Sequence, residues 1–428
     1  MQFYSTNHNA PIASLTEAIN NGFASDGGLY LPQNIVPLPP PFFRNIAEMP
    51  AGDLAYVVAN TFLSEDFEPE TVREIVNEAL TFPLPVKRLD ESGRVCVAEL
   101  FHGPTMSIKD ISARFMAALV KRITDGDDGP IHVIAATSGD AGSAVAEAFH
   151  KLEGVKATIL YPKGWLTPMQ KLQLTSLGEN VTAIEVRGSF DDCQNLVKAA
   201  AMDENLKSKI RLIDGNSINI ARFISQTFHF FNSFARMLEG GADPEQIVMA
   251  VPSGNLGNLA AGLMAKRLGL PVKRFIAATN DNDAFARFMA EGVAEYRPTL
   301  KTFANAMDTA YPTNLPRINE LRDGVDLSVT TVSDDRIIDG IKDMYARYRY
   351  ICDPHGACGY VALDEQLKPE EYGVFMATAS PQKCSEVVFD ALGEKAQIIT
   401  KKYNRRQVNA PVTVAPIYQS IKEIITSI

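Results

Sequence analysis

From Val95 onward, short β-branched apolar runs alternate with helical stretches, and this rhythm constrains the fold more than any other feature of the chain. Ile131-His132-Val133-Ile134-Ala135-Ala136 reads as a strand of the fully buried kind, and Gly142 to Leu152 as the helix after it. Ala157 to Tyr161 is the next strand, Met169 to Ser176 a helix, and Val181 to Val186 a further strand. Ser189, with Asp192 three residues on, forms a capping box that opens a helix running to Met202. The rhythm resumes with a strand over Gln246 to Val251, a Gly-rich turn, a helix to about Leu268 and a strand over Arg274 to Thr279. Parallel neighbours need a crossover, usually helical, so strands spaced by helices imply parallel sheets covered on both faces. Residues up to about Glu91 read differently, as mainly helical, with Leu54 to Phe62 and Glu70 to Leu80 as examples and Pro37 to Pro41 as an extended connector. The expected fold is therefore α/β: two doubly wound parallel-sheet domains with helices on both faces, plus a mainly helical N-terminal region. The expected division is 1–92 for that region, 93–250 for a first α/β part and 251–428 for a second.

A chain of 428 residues exceeds one comfortable core, which agrees with that division. Its formal net charge of −10 argues against a dedicated nucleic-acid surface or an anionic-membrane surface, either of which needs a basic field. The longest apolar stretch, Ile247 to Ala265, is broken by Pro252, Gly254 and Asn255, so no membrane span is expected. The start, Met1 to Asn7, lacks the basic and apolar regions of a secretory signal. Five scattered cysteines are an odd number with no framework spacing, so the expectation is a reduced, cytoplasmic protein. Cys352, His355 and Cys358 match no common zinc spacing, and no metal is expected.

Ligands of doubly wound sheets sit at the carboxyl ends of strands, which directs attention to two turns and a lysine. Thr137-Ser138-Gly139-Asp140-Ala141-Gly142 follows the Ile131 strand and opens a helix whose free N–H groups suit a carboxylate or phosphate. Plain helix capping by Ser138 or Asp140 explains the same residues. Ser253-Gly254-Asn255-Leu256-Gly257-Asn258 follows the Gln246 strand, and its glycines allow close backbone approach to a phosphate. It lacks the three glycines of a dinucleotide fingerprint and the Gly-Lys-Ser/Thr of a nucleotide-binding P-loop, so a phosphate is expected and a nucleotide is not. A tight turn using glycine for geometry alone remains open. Lys109 lies among Met106, Ile108 and Ile111, where an apolar setting favours the neutral, nucleophilic amine. A buried lysine and a phosphate loop are the minimum that pyridoxal phosphate needs.

Glu99 to Asp110 (ELFHGPTMSIKD), Ala136 to Ala144 (ATSGDAGSA), Val251 to Asn258 (VPSGNLGN) and Arg274 to Asn280 (RFIAATN) together resemble the threonine synthase family. So do Tyr4 to Asn7, Ser25 to Pro32, Asn305 to Asp308 and Asp353 to Ala357, in matching order through nearly the whole chain. That resemblance implies a fold type II pyridoxal-phosphate enzyme, related to tryptophan synthase β, that turns O-phospho-L-homoserine and water into L-threonine and phosphate. It implies that Lys109 carries the cofactor as a Schiff base and that Ser253, Gly254, Asn255, Leu256, Gly257 and Asn258 hold its phosphate. Thr378 matches the hydroxyl residue facing the pyridine nitrogen. Thr137, Ser138, Gly139 and Asp140 match the loop for the substrate carboxylate, and Asn216 and Arg222 match contacts to the substrate phosphate, a role suited to the planar guanidinium fork. In these terms residues 93–250 and 251–428 are the two parts of a cofactor-binding core, acting as a monomer or homodimer.

Three positions depart from the family pattern: Ala141 where Thr is common, and Ile108 and Leu256 where Phe is common. The last two exchange one apolar side chain for another, whereas Ala141 removes a hydroxyl near the substrate. That loss keeps a phospho-lyase forming 2-oxobutyrate open as a rival, and a non-catalytic cofactor-binding relative is a further alternative. An NAD-dependent oxidoreductase is weakened by the failed glycine fingerprint. His102 shares a segment with Lys109, and His229, among Phe228, Phe230 and Phe231, reads as packing; neither they nor His355 is assigned chemistry.

Overall fold

The computed structural model describes residues 1–124, 131–293, 295–396 and 409–427. Near the N-terminus β1 (Gln2–Ser5), β2 (Ala13–Ser14) and β3 (Tyr30–Pro32) pair antiparallel in the order β2-β1-β3. This small sheet was not expected from the sequence. Helices Leu15–Asn21, Pro40–Asn45, Ala51–Leu63 and Pro69–Ala79 make up most of the remaining N-terminal region, as expected. Pro40, expected within an extended connector, instead opens a helix, a position where its missing N–H costs nothing.

β4 (Val86–Arg88) and β5 (Val95–Glu99) begin a second sheet. The chain then leaves it to build a third from β6 (Ile131–Ala136), β7 (Val155–Pro162), β8 (Val181–Val186) and β9 (Arg211–Asp214). It returns to the second with β10 (Ile247–Pro252), β11 (Arg274–Thr279), β12 (Leu327–Thr331) and β13 (Tyr372–Ala377), and β14 (Val412–Val414) rejoins the third. Among the described residues the two large sheets run β12-β11-β10-β13-β5-β4 and β14-β8-β7-β6-β9, parallel throughout except for β4 at one edge. The expected division of the chain therefore does not coincide with the sheets. The boundary between 250 and 251 cuts β10, the boundary between 92 and 93 separates β4 from its partner β5, and β5 pairs with β13 far along the chain. A strand's own composition says that it is buried, not which sheet buries it.

Both faces of the central strands of each large sheet are covered, which is why strands such as β10 and β7 carry mainly apolar runs, whereas β4, β12 and β14 at the edges are partly exposed. Along β6, Val133 and Ala135 enter the main core, while Ile134 and Ala136 enter a second core with Leu160, Ile184 and Phe190. Along β10, Met249 and Val251 face the main core, and Val248 and Ala250 face a third with Ala357, Tyr360 and Phe375. This is the period-2 alternation of a pleated strand with no solvent side. Among the described residues no helix is long and apolar enough to cross a membrane.

Arg317 joins the N-terminal region to the rest. It is fully buried and donates to the carbonyl oxygens of Tyr30 (3.0 Å), Ser217 (3.2 Å) and Ile218 (2.6 Å), with its guanidinium 4.4 Å from the Phe223 ring centre. Nearby, the Tyr4 hydroxyl donates to Glu320 at 2.9 Å.

Each large sheet has one point where strand order reverses, and a crevice opens there at the carboxyl ends. In the six-stranded sheet β10 is followed on one side by β11 and β12, whereas β13 lies on its other side. In the five-stranded sheet β6 is followed by β7 and β8, whereas β9 lies opposite. The loops leaving β10 and β13 carry Ser253 to Asn258 and Thr378; those leaving β6 and β9 carry Thr137 to Asp140 and Asn216.

Candidate active site

Lys109 is the first residue of helix Lys109–Ile123, and the segment before it is stitched to the end of β13. Ile108 N–H donates to Thr378 O (2.7 Å), Ser380 N–H to Met106 O (3.0 Å), and Ser107 and Ala379 form a β-bridge. The turn Gly103-Pro104-Thr105 wraps around the Asp110 carboxylate, which accepts from Thr105 N–H (2.9 Å) and Thr105 Oγ1 (2.6 Å). A Cβ on Gly103 would lie 2.5 Å from Asp110 Oδ2, so only glycine lets the turn close. The spacing of turn, lysine and aspartate is thus a folding device that aims Lys109. Burial, aided by the charge of Arg222 and opposed by Asp140, pushes the lysine pKa down to about 8.

Two adjoining cavities meet at Lys109. The first is lined by Thr137, Ser138, Gly139, Asp140, Asn216 and Arg222, with Ala141 beside them. The second is lined by Gly254, Asn255, Leu256, Gly257, Asn258 and Thr378. The two turns that were ambiguous in the sequence therefore face one space, with Lys109 in both walls. Ser253 is the exception. It lines neither cavity, and its hydroxyl donates back to Val251 O at 2.7 Å.

The loop after β10 is shaped to hold an anion at the start of helix Gly257–Arg267. Leu256 sits in the left-handed region (φ 59°), a conformation costly for a branched side chain and typical of functional turns. A Cβ on Gly254 would lie 2.4 Å from Met307 Cα, so the loop and the segment Asn305–Met307 are in direct backbone contact. Asn255 Oδ1 accepts from Thr313 N–H (2.5 Å) and Oγ1 (2.8 Å), which fixes the loop from outside.

In the other loop Thr137 Oγ1 accepts from the N–H groups of Gly139 (3.1 Å) and Gly142 (2.9 Å). The cap of this helix thus comes from Thr137, not from Ser138 or Asp140. Asp140 is buried and its Oδ1 lies 2.7 Å from Lys383 Nζ and 3.0 Å from Gln170 Nε2. Burial raises its pKa, but Lys383 and His355 outweigh that and hold it below the usual carboxylate range. Arg222 donates to Ser112 Oγ (3.2 and 3.1 Å) and Gly215 O (2.8 Å), all neutral acceptors. Among the described residues no carboxylate lies within ion-pairing distance of it. Burial pushes its pKa down to about 10, with Asp214 opposing. A buried guanidinium without an ion-pair partner at a cavity wall asks for an anionic ligand.

Several residues of the site were not read from the sequence. Lys383 also donates to Thr105 O at 2.9 Å, bridging the Gly103-Pro104-Thr105 turn and the loop that carries Asp140. Asn305 donates to Gln170 Oε1 at 2.9 Å, and His355 accepts from Ala306 N–H at 3.1 Å while pairing with Asp353. Asp308 lines the first cavity, and burial pushes its pKa up to about 7 against bonds from Thr302 and Asn280. The five free cysteines are all buried, and His355, between Cys352 and Cys358, is committed to Asp353. His102 pairs with Glu99 at 2.8 Å and lines neither cavity.

A buried amine of lowered pKa, a glycine cradle at a helix start and a hydroxyl at Thr378 fit the cofactor the sequence implies. The comparisons with known proteins agree. The family model for pyridoxal-phosphate dependent enzymes matches residues 80–378, and that for the threonine synthase N terminus matches residues 2–80. A threonine synthase of Haemophilus influenzae is 39% identical over 92% of each chain. The crystal structure of threonine synthase from Escherichia coli superposes with a TM-score of 0.94 at 35% identity, covering 100% of both chains. A pyridoxal-phosphate-bound threonine synthase from Brucella melitensis gives 0.89 at 29% identity, covering 100% of this chain and 99% of that one.

Proposed function

The chain belongs to the threonine synthases within the pyridoxal-phosphate-dependent enzymes, and from that premise we propose that it converts O-phospho-L-homoserine and water to L-threonine and phosphate. The observation that carries the substrate is Arg222, a buried cation bonded only to neutral oxygens, lining the same cavity as Lys109. A phosphate on the substrate supplies the missing negative charge, with Asn216 beside it. The turn Thr137 to Asp140, at a helix start, receives the substrate carboxylate through backbone N–H groups.

Gly254, Asn255, Leu256, Gly257 and Asn258, which line the second cavity, would hold the cofactor phosphate, with Ser253 shaping their turn and Thr378 offering a hydroxyl to the ring nitrogen. Pyridoxal phosphate, when bound, supplies an electron sink for negative charge next to the substrate amine. Lys109 Nζ, displaced by the substrate amine, takes the proton from Cα; its lowered pKa keeps the amine available as a base near neutral pH. Across the turnover one proton would move from Cβ to Cγ as phosphate leaves Cγ, and water would give its hydroxyl to Cβ and its proton to the phosphate. Lys109 Nζ is the group placed to carry the protons and to return the one taken from Cα. Arg222 holds the departing phosphate beside the carbon that water attacks.

All the residues invoked come from one chain, so a monomer completes the site and a homodimer is compatible with it. We place the protein in the cytoplasm, where five buried thiols stay reduced.

The test is product identification after the protein, loaded with pyridoxal phosphate, is given O-phospho-L-homoserine, with Lys109→Ala alongside. Threonine and phosphate from the unaltered protein alone is the expected result. Phosphate with 2-oxobutyrate would assign a phospho-lyase instead, with Ala141 at the cavity wall as the first suspect. No turnover by a cofactor-loaded protein would overturn the substrate.

A further inference from the structure

His229 does more than pack. It lies in the first turn of helix Phe228–Glu239, is fully buried, and its ring centre is 4.4 Å from that of Phe230. Its Nε2 is 2.8 Å from Asn258 Oδ1. Asn258 is the second residue of helix Gly257–Arg267 and lines the cavity that Lys109 and Thr378 also line.

The protonation of this pair follows from the acceptor. A carbonyl oxygen has no proton to give, so the imidazole donates from Nε2 and its Nδ1 carries only a lone pair. Nδ1 has no partner, and neither has Asn258 Nδ2. The reverse arrangement, with the amide turned over, would put a protonated and unpaired Nδ1–H in the apolar core and a carbonyl oxygen toward an anion. Both are unfavourable. Burial also pushes the His229 pKa down to about 3, which keeps the ring neutral. The amide of Asn258, a residue of the cavity lining, is therefore held with its nitrogen buried and its two N–H donors unpartnered.

We propose that His229 is a positioning residue that, through Asn258, fixes an amide donor toward an acceptor oxygen of the cofactor. The inference rests on the reading that the loop ending at Asn258 holds pyridoxal phosphate. Neither ring nitrogen of His229 touches substrate, and its effect is carried wholly by the orientation of one amide. Without that bond Asn258 turns freely about its side-chain bonds and the donor is lost to the cofactor for part of the time.

The test compares the full-length chain with His229→Leu, His229→Gln and Asn258→Ala. Each is stripped of cofactor and titrated with pyridoxal phosphate by absorbance, with thermal unfolding of the stripped protein measured in parallel. His229→Leu should weaken cofactor binding about tenfold, as for one net hydrogen bond. His229→Gln, whose amide nitrogen reaches the place of Nε2, should bind within about threefold of the unaltered protein, because the donor is restored. Asn258→Ala should weaken binding at least as much as His229→Leu. Unchanged affinity and absorption band in His229→Leu, with Asn258→Ala impaired, overturns the positioning role. Equal loss in the Leu and Gln variants together with a lower unfolding temperature of the stripped protein also overturns it, in favour of plain packing. Unchanged affinity in Asn258→Ala would overturn the proposal at the amide itself, whereas failure of the unaltered protein to bind pyridoxal phosphate would overturn the reading of the loop. Should the leucine variant not fold, His229→Asn, too short to reach Oδ1, takes its place.

Discussion

Lys383→Met tests the charge balance of the site most directly. In the protein Lys383 Nζ lies 2.7 Å from Asp140 Oδ1, with side-chain exposures of 0% and 4%, so the pair is out of water. Methionine fills a similar volume but removes the cation, leaving the Asp140 carboxylate with one amide donor, Gln170 Nε2 at 3.0 Å. Breaking a buried pair from one side costs roughly 3–5 kcal/mol, because the remaining charge is uncompensated. That cost depends on pH. With Lys383 present the folded pKa of Asp140 is depressed, so the pair's stabilisation is present above the unfolded value, about 3.9, and lost as pH falls through the folded value. With Lys383 gone burial outweighs what the charge of His355 and the Gln170 bond still supply, the folded pKa rises above the unfolded one, and the penalty grows as pH climbs from about 4. Urea unfolding at pH 4.5 and pH 8 should therefore show a small loss at the lower pH and the full loss at the higher. Adding Asp140→Asn to Lys383→Met removes the orphaned charge and should recover most of the loss at pH 8. A loss that is the same at both pH values, or a double variant no better than the single one, would refute the reasoning.

Arg222→Met should raise KM for a phosphorylated substrate about 10- to 100-fold, the range for losing a charge-assisted hydrogen bond, and should weaken inhibition by inorganic phosphate in parallel. An unchanged KM would remove Arg222 from the substrate phosphate. Gly254→Ala puts a Cβ 2.4 Å from Met307 Cα, so backbone must move, and cofactor affinity should fall by roughly 10- to 100-fold on equilibrium titration. Wild-type affinity would show that the loop has slack. In the cofactor-free protein the reaction of Lys109 with an amine reagent should rise through about pH 8, since the amine is protonated and inert below its pKa. A midpoint near the ordinary lysine value of about 10.4 would refute the buried setting.

Much of the framework was legible because its signals are local. The apolar runs of β6, β7, β8, β10 and β11 and the capping box at Ser189 and Asp192 each lie within one short segment, and the structure has all of them. Lys109 and the loop to Asn258 were legible for the same reason, and the resemblance to a family supplied the roles that spacing left open. What escaped was set by partners far apart in the chain. Lys383 and Thr105 are 278 residues apart, and Asp140 looks like a helix cap until Lys383 is beside it. The N-terminal sheet escaped because β1 to β3 are two to four residues each, too short to show a period. His229 was read as packing because its neighbours are phenylalanines. Yet a polar ring on an apolar helix face must find a partner, and that requirement was the available clue.

Arg317 has a bearing on how this molecule tolerates change. Three of the oxygens it grips belong to the main chain of Tyr30, Ser217 and Ile218, so no particular side chain is needed at those positions to keep the grip. Neutral drift in the N-terminal region can therefore rewrite the letters at that seam while the joint persists, so long as the backbone there keeps its course. The dependence is one-sided. A single exchange at 317 would release three partners at once, and no substitution among those partners would restore them.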